Sequence, residues 1–438
     1  MSSYVTRKTP GDTAWFTRDR FGMFIHFGLY AMPARHEWVK TREKIPEEKY
    51  DKYFKYFNPD LFDARSWARE AREAGMKYAV LTTKHHEGFC LFDSRYTDYK
   101  ITNTPFGRDL VKEYVEAFRT EGLKVGFYYS LIDWHHPEFP IDLQHPRRDD
   151  PDAEEQSRNR DIRKYAQYMR NQVTELLTNY GRIDIMWYDF SYPDLNGTGD
   201  KAWMKGKGKE DWEAEELIAL TRKLMPGVII NNRTGIEQDI YTPEQFQPTE
   251  WVKHPETGEK VVWEACQTFS GSRGYYRDEQ TWKSPEMLIR MLVNTVSLGG
   301  NLLMNVGPTA RGTFDRRATD ALKVFADWMK VNGRSIYGCT MAEPGLEAPR
   351  DCRYTQSGDG KRLYLHLFAY PFAFLYLKGL AGKVDYAQFL HDGSEVLYTE
   401  GKMDHFGEGL PQDDDGIVLK LPAVKPDCLV PVVEIILK

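Results

Sequence analysis

Arg182-Ile183-Asp184-Ile185-Met186-Trp187-Tyr188-Asp189-Phe190 reads as a buried strand whose last residue is a carboxylate. Side chains alternate along a strand, so Ile183, Ile185, Trp187 and Asp189 share one face, an apolar stripe ending in one acid. Burial and the adjacent aromatic restrict the acid's rotamers while the strand end leaves it open to a pocket, the setting of a nucleophile. Taken in isolation, a strand-end Asp reads more readily as a cap for the loop or helix that follows. What other polar residues gather at the same end of the sheet decides between the two.

Working outward, short apolar runs recur between long segments of helical period. Strands are predicted at 21–26, 78–83, 125–130, 183–189, 228–232, 261–268 and 301–305, and helices at 64–74, 110–121, 158–179, 212–225, 285–297 and 316–331. This alternation belongs to parallel βα units, and a (β/α)8-like barrel accommodates it best, with its eighth strand not placed by pattern. Gly75, Gly122 and Gly181 stand at helix-to-strand joints, where the left-handed conformation ends a helix. No Gly-x-Gly-x-x-Gly follows the first strand, which weakens a dinucleotide-binding sheet. Beyond Gly338, runs such as 362–368 and 432–438 are separated by Gly, Asp and Pro without crossover helices. The expected organisation is a catalytic barrel over residues 1–338 and a C-terminal antiparallel β-sandwich over 339–438, packed on the barrel.

The 438 residues, 41% hydrophobic and 14% aromatic with 11 Trp and 26 Tyr, bury a large core. A net charge of -6 gives no general attraction to nucleic acid or anionic membrane, and Arg147-Arg148 and the lysines between Lys205 and Lys209 read as solvated loops. Cys90, Cys266, Cys339, Cys352 and Cys428 form no Cys-x-x-Cys pair and read mostly as reduced core residues. Residues 1–8 contain no apolar signal core, and no apolar run is long enough to cross a bilayer. The chain as written is expected to be soluble and cytoplasmic, or periplasmic or secreted if an export signal has been removed. No cofactor is expected, and a homo-oligomer is allowed.

Other predicted strands also end in polar residues, which in a barrel collects them around one mouth. Phe24-Ile25-His26, Thr82-Thr83-Lys84-His85-His86, Phe127-Tyr128-Tyr129 and Ile229-Ile230-Asn231-Asn232-Arg233 are such ends. Taken singly, each His is a hydrogen-bonded structural residue, the Tyr pair is core, and the Arg is an ion-pair partner. A metal-dependent hydrolase using His26, His85 and His86 is a competing reading, although neighbours on a strand point to opposite faces and chelate one ion only if the chain bends back. Neutral imidazoles and indole edges instead suit the hydroxyls of a sugar, with aromatic faces for its C–H side. Glu37-Trp38 supplies such a pair in the first βα loop.

Together with Phe21-Gly22-Met23-Phe24-Ile25-His26-Phe27-Gly28-Leu29-Tyr30, Thr83-Lys84-His85-His86-Glu87-Gly88-Phe89, Arg108-Asp109-Leu110-Val111, Tyr128-Tyr129-Ser130, Trp187-Tyr188-Asp189, Asn231-Asn232-Arg233 and Gly299-Gly300-Asn301-Leu302-Leu303-Met304-Asn305-Val306-Gly307-Pro308, these residues resemble the glycoside hydrolase family 29 α-L-fucosidases in order and over essentially the whole chain. The resemblance implies a barrel followed by a β-sandwich and metal-independent removal of α-linked L-fucose, with retention, from a fucosylated oligosaccharide or glycoconjugate. It implies Asp189 as nucleophile and His26, Glu37, Trp38, His85, His86, Tyr128 and Arg233 as the fucose-binding shell, to which Trp187 beside the nucleophile is added.

Retention needs a second carboxyl group roughly 5 to 5.5 Å from the first. Glu244 and Glu264 compete for it. Glu244 is preferred, because its distance beyond Arg233 resembles that in family members and a loop position suits a group facing a variable leaving sugar. Glu264, beside Trp263, reads as a structural or orienting carboxylate, and the opposite assignment stays open. Phe27 stands where the family often has Trp, Phe190 where a small residue often follows the nucleophile, and Arg273 where an aromatic is common. Arg273 reaches an aglycone, pairs with a carboxylate, or lies on the surface. A non-catalytic fucose-binding protein that has lost its acid/base is the remaining alternative.

Overall fold

The computed structural model describes residues 6–401 and 415–438, so the first five residues of the polar N-terminal stretch lie outside the described residues. Parallel strands β1 (Phe21–Ile25), β2 (Tyr78–Lys84), β3 (Lys124–Ser130), β4 (Ile185–Asp189), β5 (Ile229–Ile230), β6 (Ile240–Tyr241), β7 (Val262–Thr268) and β8 (Asn301–Val306) form one sheet in the order β5-β4-β3-β2-β1-β8-β7-β6. A parallel bridge between Asn231 and Ile240 joins its two edges and closes the (β/α)8-like barrel. The strand that the pattern did not place is β6, only two residues long.

β5 is shorter than predicted for a definite reason. The Asn231 side chain takes over the ladder, its Oδ1 accepting from the Tyr188 amide at 3.1 Å and its Nδ2 donating to the Tyr188 carbonyl at 2.8 Å. The main chain is thereby released into the 3₁₀ turn Asn232–Thr234. The predicted helix 158–179 is two helices, Ala153–Arg158 and Ile162–Asn179, because the Asp161 carboxylate accepts from the Arg163 amide at 3.0 Å and starts a new N-terminus. Helix 285–297 has the predicted bounds, with Pro285 in its first turn and Ser284 as its cap.

Strand parity sorts the core. Phe24, Tyr78, Tyr128, Ile185, Trp187, Val262, Cys266 and Leu303 fill the barrel interior, and helix Thr13–Asp19 closes one end with Trp15 and Phe16. Met186 and Tyr188 point outward to the helical layer, as does Ile183, which precedes β4 and so leaves the stripe expected to run through it.

After helix Arg316–Asn332 the chain forms β9 (Cys339–Thr340), β10 (Cys352–Ser357), β11 (Arg362–Leu367), β12 (Phe374–Leu377), β13 (Val384–Phe389), β14 (Leu397–Glu400), β15 (Ile417–Lys420) and β16 (Val432–Leu437). They make two antiparallel sheets, β13-β16-β11-β10-β9 and β12-β15-β14, around Leu363, Leu365, Leu377, Leu419, Val433 and Ile435. The opposite face of the larger sheet, with Tyr364 and Val432, merges into the barrel's helical core. Polar ties cross the junction: Arg20 donates to the Cys339 carbonyl at 2.8 Å, and the buried Glu434 accepts from Arg334 at 3.1 Å. All five cysteines are free. Among the described residues no helix is long and apolar enough to cross a membrane.

Candidate active site

The C-terminal ends of the barrel strands open into a cavity of about 290 Å³. His26 follows β1, His85 and His86 follow β2, and Asp189 ends β4; Glu37, Trp38, Glu244 and Arg273 come from loops that cover the same mouth. Phe190, noted in the sequence as a departure, lines it too, as do His36, Arg42, Gln245 and Gly271, which were not singled out there. His36 adjoins Glu37, the one local signal that could have found it.

Asp189 is 8% exposed. Its Oδ2 accepts from the Tyr128 hydroxyl at 2.8 Å and its Oδ1 from Arg233 Nη1 at 3.0 Å. Burial raises its pKa, the Arg233 guanidinium opposes this, and the nearby Glu244 charge adds to the rise. Phe190, next in the chain, has φ +107°, a costly conformation for a bulky residue. It is consistent with the small residue that the resemblance leads one to expect there.

Arg233 is fully committed. Nε donates to Thr242 Oγ1 at 2.8 Å, Nη2 to the Thr242 carbonyl at 3.0 Å, Nη1 to Asp189, and Nη2 also lies 2.6 Å from Glu244 Oε2. Its guanidinium sits 4.6 Å above the Trp187 ring, which stacks on Tyr128 at 5.7 Å. Tyr128, Trp187 and Arg233 therefore stand behind the cavity wall and hold Asp189, and none of the three lines the cavity.

The two candidate acids separate clearly. Glu244, with 37% of its side chain exposed, lines the cavity beside Asp189. It does not sit on a free loop: a parallel bridge with Cys266 extends the β6 ladder, with Cys266 N donating to the Pro243 carbonyl at 2.9 Å and Gln245 N to the Cys266 carbonyl at 3.1 Å. Gln245 then adopts φ +59°, so Asp189 and Glu244 each precede a residue of positive φ. Glu264 is fully buried in the barrel interior and does not line the cavity. Its oxygens accept from the Tyr78 hydroxyl at 2.5 Å and from Trp187 Nε1 at 3.3 Å. Burial pushes its pKa up to about 7, against those two hydrogen bonds and Arg233. It orients Trp187 from below.

Burial would raise the pKa of Glu244, but Arg233 and Arg273 outweigh it and hold the carboxyl below the ordinary value. Arg273 Nη2 donates to Glu244 Oε1, so the carboxylate-pairing reading of this residue holds and the surface reading does not.

The histidines are neutral. Burial lowers the pKa of His26 and His85 well below the ordinary imidazole value and that of His86 to about 3. Ser130 Oγ donates to the Ile132 carbonyl at 2.7 Å, so it accepts a hydrogen bond from His86 Nδ1–H at 2.6 Å, which leaves Nε2 as an acceptor, 3.9 Å from Asp189. Nδ1 of His26 and of His85 are buried without a hydrogen-bond partner in the described structure. Glu37 Oε2 accepts from the amides of Arg273 at 3.1 Å and Gly274 at 2.8 Å, while no described residue donates to Oε1. Trp38 packs on His86 and Phe190 at 4.8 and 5.5 Å, forming an aromatic wall. His85 and His86 do face one cavity because β2 ends at Lys84. Among the described residues no group of three or more His, Cys, Asp or Glu side chains is arranged to hold a metal ion.

A paired-acid site in a barrel mouth, ringed by neutral imidazoles and aromatics, agrees with the likenesses found among known proteins. The α-L-fucosidase family profile matches residues 2–334. The chain is 31% identical over 448 residues to the plasma α-L-fucosidase of Homo sapiens, covering 93% of this chain and 85% of that protein. Among solved structures it is similar to α-L-fucosidase isoenzyme 1 of Paenibacillus thiaminolyticus, with 46% identity, a TM-score of 0.88 and coverage of 97% and 98% of the two chains. It is also similar to a Bacteroides thetaiotaomicron α-L-fucosidase trapped as a covalent intermediate in complex with 2-fluoro-fucosyl fluoride, with 28% identity, a TM-score of 0.80 and coverage of 100% and 99%. The chain therefore belongs to the α-L-fucosidase family and is a glycoside hydrolase.

Proposed function

We propose that this chain is a retaining, exo-acting α-L-fucosidase that releases terminal α-L-fucose from oligosaccharides or glycoconjugates, with Asp189 as nucleophile and Glu244 as acid/base. The observation that carries the reading is the single Arg233 guanidinium shared by Asp189 and Glu244 at the cavity. Sharing one planar group keeps the two carboxylates close, as retention requires. The cavity lies at the small end of ligand sites and suits one pyranose ring, which supports exo action. The covalent intermediate trapped in the Bacteroides relative supports the same chemistry.

Asp189 attacks C1 while protonated Glu244 gives its proton to the departing oxygen, leaving fucose esterified to Asp189. Water then attacks C1, Glu244 takes its proton and the ester breaks. Glu37 Oε1, His86 Nε2 and the imidazoles of His26 and His85 orient the hydroxyls. Trp38 and Phe190 offer an apolar wall to the sugar's methyl group. An added hydroxyl against that wall costs about 1 to 3 kcal/mol, so cleavage of α-L-galactosides is slower but measurable.

The test combines variants with product stereochemistry. Asp189→Asn is expected to lose on the order of 10³-fold or more in kcat. Glu244→Gly is expected to lose turnover of substrates with poor leaving groups and to regain part of its rate on nitrophenyl α-L-fucoside with azide. NMR of the fresh product is expected to show α-fucose first. Initial release of β-fucose, or an Asp189→Asn enzyme of undiminished rate, overturns the assignment.

A further inference from the structure

Glu244 meets two arginines that differ in freedom. Arg233 spends its donors on Thr242, Asp189 and Glu244 and is stacked on Trp187, so it cannot leave Glu244 without uncovering the nucleophile. Arg273 is fixed only through its backbone. Its amide donates to Glu37 at 3.1 Å, its carbonyl accepts from Asn305 Nδ2 at 2.7 Å, and a Cβ on Gly307 would stand 2.5 Å from that carbonyl. The only hydrogen bond made by its guanidinium among the described residues goes to Glu244 Oε1.

As found, each Glu244 oxygen faces an arginine N–H donor, an arrangement that favours the carboxylate over the acid that a leaving oxygen needs. We infer that Arg273 is the positioning residue that sets when Glu244 carries a proton: it clamps the carboxylate in the free enzyme, yields to the incoming aglycone, and returns after the aglycone leaves. The inference rests on the assignment of Glu244 as acid/base. When the aglycone oxygen replaces Arg273 at Oε1, Glu244 loses one neighbouring positive charge and takes a proton from solvent. That proton passes to the leaving oxygen as the C1–O bond breaks and the Asp189 ester forms. Arg273 then pairs again with the ionised Glu244, the form that accepts the proton of the attacking water. After hydrolysis of the ester that proton returns to solvent, which closes the balance.

The charged and titratable groups that face Glu244 are Arg233, Arg273, Asp189 and His86, with His26, His36, His85, Glu37 and Arg42 around the rest of the cavity. The buried histidines are neutral, which leaves Arg233 and Arg273 as the cations that hold Glu244 ionised. Of these only Arg273 can be removed without disturbing Asp189.

The experiment measures kcat/KM against pH for phenyl or methyl α-L-fucoside, whose poor leaving groups need the acid, in the wild type and in Arg273→Met, Arg273→Gln and Arg273→Lys. The basic limb reports deprotonation of the acid in the free enzyme. It is expected to move up by about one pH unit or more in the Met and Gln variants, as loss of an adjacent cation requires, and to stay in place in the Lys variant. A limb that stays in place in the neutral variants overturns the inference, as does one that moves equally in the Lys variant, which would mark a packing role. A Glu244→Gln enzyme with wild-type kcat/KM on the same substrates overturns the acid/base assignment itself, and the inference with it.

Discussion

At the scale of single residues, the site controls ionisation by what each side chain can touch. Asp189 needs to be an anion, yet burial raises its pKa, and Tyr128 and Arg233 supply the compensation. Tyr128→Phe removes a hydrogen bond to a charged group, worth about 1.5 to 3 kcal/mol. If that stabilisation is felt fully by the nucleophile, kcat/KM falls roughly 10- to 100-fold. The sign of the pH effect follows. Without the hydroxyl Asp189 binds its proton more tightly, so the acid limb of the rate profile moves to higher pH; steady-state rates across the acid range measure both quantities. A profile that keeps its position and drops uniformly would mean that Tyr128 acts on the sugar and not on Asp189.

At the scale of elements, strand parity and strand ends carried most of the legible information. Polar residues at the ends of apolar runs placed His26, His85, His86 and Asp189 around one mouth, because a barrel collects strand ends by geometry. The sequence could not show β6, since two ladder residues leave no periodic trace, nor the Asn231 side chain standing in for a strand. It also left Glu264 beside Glu244, although one signal separates them. Glu264 lies four positions before the end of β7, below the mouth, on the inward face with Val262 and Cys266. Arg273 was visible as a departure, but only tertiary placement gave it a partner. Glu264→Gln tests the buried role. The wild-type carboxyl, raised from 4.5 to about 7, favours the folded state below the unfolded value, and that contribution is lost as pH rises through about 7. The neutral amide has no such dependence. The variant is therefore expected to gain stability relative to wild type between pH 4.5 and 8, by an amount on the order of 3 kcal/mol, measured by urea unfolding. A difference that does not change with pH would contradict the buried carboxylic acid.

At the scale of the whole molecule, the barrel and the sandwich share a buried surface, with Tyr364 and Val432 of the larger sheet continuing the barrel's helical layer. Arg20, Arg334 and Glu434 cross the same junction, so the active barrel is braced on the side away from its mouth. The mouth itself is not uniform. Most neighbouring strands share several registered pairs, but β5 and β6 share one bridged pair, Asn231 and Ile240. Arg233 lies just past one edge of that junction and Glu244 just past the other. Arg233 and Glu244, ion-paired at 2.6 Å, thus straddle the thinnest seam of the cylinder, and a sugar bound over Asp189 and Glu244 acts as a stitch across it. Amide hydrogens near residues 229–245 should exchange faster than those of β2 and β3 in the empty enzyme, and a fucose-like inhibitor should slow them more than any other barrel segment.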